Sequence, residues 1–154
     1  MTAPVVDLIE LADPARGLRL LVPGALPDGT AVEIDRELDG PVHRLHARSA
    51  DGSAVYVEIV SAEAFLDHMT VVAEQTEALS KRSDDVRVAP SASTEVGGRL
   101  ATTFDVEGTL GGTWRTRRFV IVDGPAHTFR IVIDPTSDAN RSALASLSFT
   151  SDPP

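Results

Sequence analysis

The sequence predicts an α+β fold in which a single antiparallel sheet is flanked by helices. Three observations predict it. Asp51-Gly52 sits between two alternating apolar runs, the strongest short hairpin signal a sequence carries. The stretch 62–81 is the one long segment with apolar residues at helical spacing. From Gly97 onward, apolar strand-like runs follow one another across glycine turns and close on a short polar helix. The chain has 154 residues and reads as one domain, 1–154, with its core over 15–150. At that length folding buries about 70% of the surface the unfolded chain exposes.

The elements follow in order. Val5, Val6, Leu8, Ile9 and Leu11 form a short apolar stretch, an edge strand or one helical turn, broken at Asp13-Pro14. Residues 17–22 alternate and read as a strand leaving at Pro23-Gly24. Pro27-Asp28-Gly29 is turn chemistry, because proline fixes φ and glycine allows φ above zero. Residues 31–38 read as a strand with Glu33, Asp35 and Glu37 on its outer face. Strands over 42–48 and 54–60 flank the Asp51-Gly52 turn. In the second, Val55, Val57 and Ile59 share one face, while Tyr56, Glu58 and Val60 share the other.

The helix over 62–81 takes Ser61 as N-cap and turns Phe65, Leu66, Met69, Val72, Ala73 and Leu79 toward a sheet. Asp67, Glu74, Gln75 and Glu77 occupy its solvent face, and Phe65 and Met69 are read as core. Residues 82–98 contain a short strand at Val86, Val88 and Ala89 and a loop around Pro90. The closing meander is a strand over 97–106, a glycine turn over 108–112 and a strand over 114–122. A turn at Asp123-Gly124-Pro125 leads to a strand over 128–133. Thr136-Ser137-Asp138 supplies N-cap chemistry for a helix reaching Leu147, and 151–154 reads as a frayed tail.

This order resembles the PsbP/Mog-type family of α/β/α sandwiches, which includes the DcrB-like bacterial proteins. The residues that carry the resemblance are Gly17-Leu18-Arg19-Leu20-Leu21-Val22-Pro23, then Glu95-Val96-Gly97-Gly98-Arg99-Leu100-Ala101, then Leu144-Ala145-Ser146-Leu147-Ser148-Phe149. The resemblance covers about 15–150 and lies in order and spacing. It implies a scaffold used mainly for binding proteins. The family's members include photosystem-associated subunits, Ran-binding proteins and chaperones that escort secretion-system effectors. One fold hosts many roles, so this transfers a class of activity and no particular partner.

Composition excludes several classes. Net charge is −9, from 23 acidic and 14 basic residues, which opposes bulk nucleic-acid binding. The absence of cysteine removes disulfides, thiolate zinc sites and thiol catalysis, and fits a reducing cytoplasm. Only Lys81 among the basic residues is a lysine, as expected of a GC-rich bacterial genome. The start Met1-Thr2-Ala3-Pro4 lacks the basic and apolar segments of a secretory signal, and no apolar run reaches the roughly 18 residues of a membrane-spanning helix.

No Gly-x-Ser-x-Gly elbow, Walker A loop or Gly-x-Gly-x-x-Gly fingerprint is present. His43 and His46 fall on opposite faces of one strand, and His68 and His127 lie elsewhere, so the four histidines read as exposed or internally satisfied. Asp105 and Glu107 share a strand face and read as a solvated pair. No catalytic residue, metal or cofactor is expected.

The densest basic and aromatic segment is Trp114, Arg115, Arg117 and Arg118, with Arg99 expected on a neighbouring strand and Arg130 close by. Such a stripe accepts an acidic peptide or another anion through charge-assisted hydrogen bonds. Alternatively, its arginines pair with Asp105, Glu107 and Glu95 across the sheet. The expected function is a non-catalytic domain that binds a protein or peptide, an adaptor or chaperone for a secretion or envelope-associated system. Its binding residues would be Trp114, Arg115, Arg117 and Arg99. The alternative is a small-molecule or lipid carrier using the space between sheet and helix. A monomer, or a homodimer weakly paired through an edge strand, is expected.

Overall fold

A computed structural model describes residues 7–50, 54–82, 84–110 and 112–150. Among them the chain forms eleven strands and two helices. The strands are β1 (Leu8–Asp13), β2 (Leu18–Pro23), β3 (Glu33–Glu37), β4 (His43–Arg48), β5 (Tyr56–Ser61), β6 (Arg87–Val88), β7 (Ala92–Val96), β8 (Arg99–Leu110), β9 (Thr113–Asp123), β10 (Thr128–Ile133) and β11 (Ser148–Phe149). Helix α1 spans His68–Arg82 and α2 spans Asp138–Ala145.

The expectation of a single sheet flanked by helices is overturned. The protein is mostly β, with two sheets of three and eight strands. The smaller sheet has the order β1-β2-β11. The larger runs β3-β4-β5-β10-β9-β8-β6, with β7 also paired to β8. The reason lies in β2. It takes β1 on one side and the closing strand β11 on the other, so its hydrogen bonds are used outside the large sheet. The early apolar stretch is therefore strand throughout its described part.

The small sheet lies on one face of the large one. Leu11, Leu18, Leu20 and Val22 pack with Leu45, Val57, Ile59, Val120, Val122, Phe129, Ile131 and Ile133 in one buried cluster. Helix α2 seals that side with Ala143, capped as expected by Ser137, whose side chain accepts from the Asn140 amide. Asn140, fully buried, then accepts from the Tyr56 amide at 2.9 Å and donates to the Asp134 carbonyl at 3.0 Å.

Helix α1 covers the opposite face, where Val71 and Leu79 meet Phe104, Val106, Phe119, Ile121 and Val132. Phe104 and Phe119 stack there with centroids 4.9 Å apart. The helix starts six residues later than its spacing predicts. The segment before it runs along Thr128, which accepts from the Leu66 amide at 2.8 Å and, through its own carbonyl, from the Ala62 amide at 2.9 Å. Ser61 ends β5 and is not the cap. Asp67 caps instead, accepting from the Thr70 amide at 3.0 Å and its hydroxyl at 2.9 Å. The expected apolar face shifts with the start. Phe65, Leu66 and Met69 are 55%, 48% and 56% exposed, so they are not core.

The paired strands around 49–53 and the long β8–β9 hairpin form as the alternation predicts. The Asp51-Gly52 turn, Gly111 and the 151–154 tail lie outside the described residues.

Candidate functional site

The register of the large sheet decides which side chains meet under α1. Cross-strand partners share a face. Arg44 and Arg130 both pair with Val60, which puts a guanidinium on each side of that valine. Two residues along, Glu58 is flanked by His46 and Val132, and Val132 pairs with Phe119. Two residues further, Arg48 pairs with Tyr56, while Arg117 and then Arg115 continue the same face on β9.

Helix α1 leaves this face partly open. Its residues there are Gln75, Ala78, Leu79 and Arg82, and only Leu79 is a large apolar side chain. The gap is a cleft of about 720 Å³. Six of the chain's 13 arginines line it: Arg44, Arg48, Arg82, Arg115, Arg117 and Arg130. Glu58 is its one lining carboxylate among the described residues, and Leu79, Leu110, Phe119 and Val132 supply apolar wall.

The guanidinium groups are held to different degrees. Arg117 is buried, with its Nη1 3.3 Å from an Asp134 carboxylate oxygen and its guanidinium carbon 4.0 Å from the Tyr56 ring centroid. Burial pulls its pKa down, Tyr56 and Asp134 oppose that, and the neighbouring Arg115 charge adds to it. Tyr56 is pushed up by burial first and by Glu58 second, so its hydroxyl stays protonated. That hydroxyl donates to Glu58 at 3.3 Å, and Arg130 donates to the other Glu58 oxygen at 2.8 Å. The Nε of Arg130 is buried without an acceptor among the described residues. Arg48 meets Glu33 at 3.3 Å on the exposed side. Among the described residues Arg44 and Arg82 have no ion-pair partner.

The four residues expected to bind a partner do not form one patch. Arg115 and Arg117 share the cleft face. Trp114, paired with Thr109 on the face away from the cleft, is 54% exposed beside the turn of the β8–β9 hairpin. Arg99 lies near the other end, its guanidinium 5.2 Å from the Phe149 ring centroid and its Nη1 bonded to the Gly124 carbonyl at 3.3 Å. Arg118, also on the face away from the cleft, makes the expected cross-strand pair with Asp105, at 2.8 and 3.0 Å. Arg44, Arg48 and Arg82 escaped the sequence reading. The signal for two of them was the alternation Arg44, His46, Arg48 within the strand expected over 42–48.

The histidines divide as their spacing predicts. His43 is buried between the sheets, its Nδ1 2.6 Å from Asp13, while His46 is on the cleft face with its ring edge-on to Tyr56. His68 ties the start of α1 to Thr102 at 3.2 Å and Asp123 at 3.0 Å. Among the described residues no group of three or more His, Asp or Glu converges as a metal site. No described helix is long and apolar enough to cross a membrane.

No protein-family profile and no curated relative matches the chain. Among solved structures it is similar to the solution structure of cyanobacterial PsbP (CyanoP) from Synechocystis, with a TM-score of 0.63 at 10% sequence identity. The match covers 96% of this chain and 95% of that one. The chain therefore has a PsbP-like fold.

Proposed function

We propose that the protein is a non-catalytic binding domain whose ligand is a small organic anion held in the arginine cleft. One observation supports this above the others: a chain of net charge −9 gathers six arginines around one concavity. Crowded like charges repel, and an anion bound among them relieves that repulsion, so the arrangement is stabilised by an anion. Guanidinium forks suit carboxylate and phosphate oxygens. The cleft also falls within the roughly 300–1,000 Å³ typical of small-molecule sites. This is the carrier reading, placed in the cytoplasm of a bacterium on the cysteine-free, arginine-biased composition. Mog-type and DcrB-like kinship belongs to the same proposal, on element order.

Amide chemical shifts during a sulfate titration at constant ionic strength test it. Changes should concentrate on β4, β5, β9 and β10 and vanish in Arg44→Gln/Arg115→Gln. Shifts spread evenly over the surface, or unaltered in the variant, reject the site.

The exposure of Trp114 favours a second reading, an adaptor or chaperone gripping a protein through the hairpin end. Trp114→Ala should then abolish partner co-purification while leaving the melting temperature unchanged. Undiminished recovery rejects it.

A further inference from the structure

We propose that the apolar patch at the start of α1 is a docking surface for a cationic amphipathic helix of a partner protein, a site separate from the arginine cleft. Among the described residues seven large apolar side chains are exposed. Four of them, Phe65, Leu66, Met69 and Leu100, stand at this one end of the helix, and Leu100 is 74% exposed. Single exposed apolar residues are ordinary on a protein surface, whereas a group of them in one place marks an interaction site.

Hydrogen bonds hold the four together. His68 is bonded to Thr102 at 3.2 Å and to Asp123 at 3.0 Å, which sets the first turn of α1 over the ends of β8 and β9. Leu100 lies two residues from Thr102 on the same face of β8, about 7 Å along the strand. The Met69 sulfur is 4.0 Å from the Ser91 hydroxyl. On the other side the Leu66 amide donates to the Thr128 hydroxyl, which in turn donates to Asp123 at 2.6 Å.

The rim is acidic. Glu63 and Asp67 flank Phe65 and Leu66 in sequence and are exposed. Glu95 is exposed too, and it pairs with Leu100 across β7 and β8, so the two share a face. Two guanidinium groups approach from the sheet side and are turned to other acceptors. Arg16 donates to the Ser61, Ala62 and Pro41 carbonyls, and Arg130 to Glu58. Carboxylates around an apolar centre attract lysine and arginine. They repel an anionic bilayer, and a two-fold contact with a second copy would set the same carboxylates against one another.

The backbone under the patch is already bonded. The Ala62 amide donates to the Thr128 carbonyl at 2.9 Å, and the Thr128 amide to the Ala64 carbonyl at 3.3 Å. The patch therefore offers side chains for recognition. A helix satisfies its own backbone and presents an apolar stripe between cationic rows, which matches an apolar centre with an acidic rim.

Fluorescence anisotropy with a labelled peptide of two Leu-Lys-Lys-Leu-Leu-Lys-Leu repeats tests the proposal. The peptide should bind saturably, and Phe65→Ser/Leu100→Ser should weaken it at least about tenfold. Glu33→Gln/Glu37→Gln, on the acidic strand β3, should change its affinity less than about twofold. The same peptide with glutamate for lysine, or with serine for leucine, should bind at least about tenfold weaker than the parent peptide. The patch variant should keep the circular dichroism spectrum and melting temperature of the parent chain, and Met69→Gln/Leu100→Ser takes its place if it does not. No saturable binding, or binding unaltered in the patch variant, overturns the docking surface. Equal affinity for the glutamate peptide overturns the cationic partner. Phosphatidylglycerol vesicles that bind the parent chain and not the patch variant assign the patch to a membrane. A dimer seen by sedimentation velocity and lost in that variant assigns it to a second copy. Either result overturns the proposal.

Discussion

Arg117 sits over the Tyr56 ring, 4.0 Å from guanidinium carbon to ring centroid, while its Nη1 reaches Asp134 at 3.3 Å. Both members of the ion pair are buried, so the pair is screened little and each partner depends on the other. Asp134 also accepts from the Thr136 amide at 2.9 Å and hydroxyl at 2.6 Å, which keeps part of its charge solvated after Arg117 is lost. Arg117→Met should therefore destabilise the fold by about 3 kcal/mol, the low end for breaking a buried pair. Arg115→Gln, two residues along the same face, should change stability by less than about 0.5 kcal/mol. Urea unfolding followed by tryptophan fluorescence separates the two. Equal, small effects would show that Arg117 is a ligand-facing surface residue and not a support for the sheet.

The start of α1 makes a second prediction. Phe65, Leu66 and Met69 look apolar and periodic, yet all three are about half exposed. Phe65→Ser and Met69→Gln should each alter stability by less than about 0.5 kcal/mol. Val71→Ala, at a buried position of the same helix, should cost about 1–3 kcal/mol. If Phe65→Ser instead cost as much as Val71→Ala, the helix would begin near residue 62 and pack through its first turn.

These residues also show where the sequence was legible. Alternation in β4, β5, β8 and β9 is local, so strand existence and facing could be read from a few neighbours. Pairing of β11 with β2 joins residues 148–149 to 18–19 and leaves no local trace, which is why two sheets looked like one. Ser61 and Asp67 are both acceptable caps. The choice between them is made by Thr128, some sixty residues away, which holds Leu66 in an extended segment. The cleft was half visible for the same reason. Arg115 and Arg117 are adjacent in sequence spacing, but Arg44, Arg48 and Arg82 join them only through the register of four strands and a helix.

His127 carries the pH dependence that the structure predicts. Its Nδ1 is buried without a hydrogen-bond partner among the described residues, and it lies near Arg16, Asp13 and His43. Burial is the main cause that lowers its pKa from the ordinary 6.5. The Arg16 and His43 charges act in the same direction, and Asp13 opposes them in part. The folded state then binds fewer protons than the unfolded chain as the pH falls through the ordinary histidine range. Stability from this group is complete above that range and is lost on acidification. His127→Gln removes the group that must stay neutral. Comparing urea midpoints at about pH 7.5 and about pH 5.5, the drop should be smaller in the variant than in the parent chain. The difference between the two chains isolates His127 from the other three histidines. Parallel slopes would mean that water reaches Nδ1 and that His127 titrates as it does in the unfolded state.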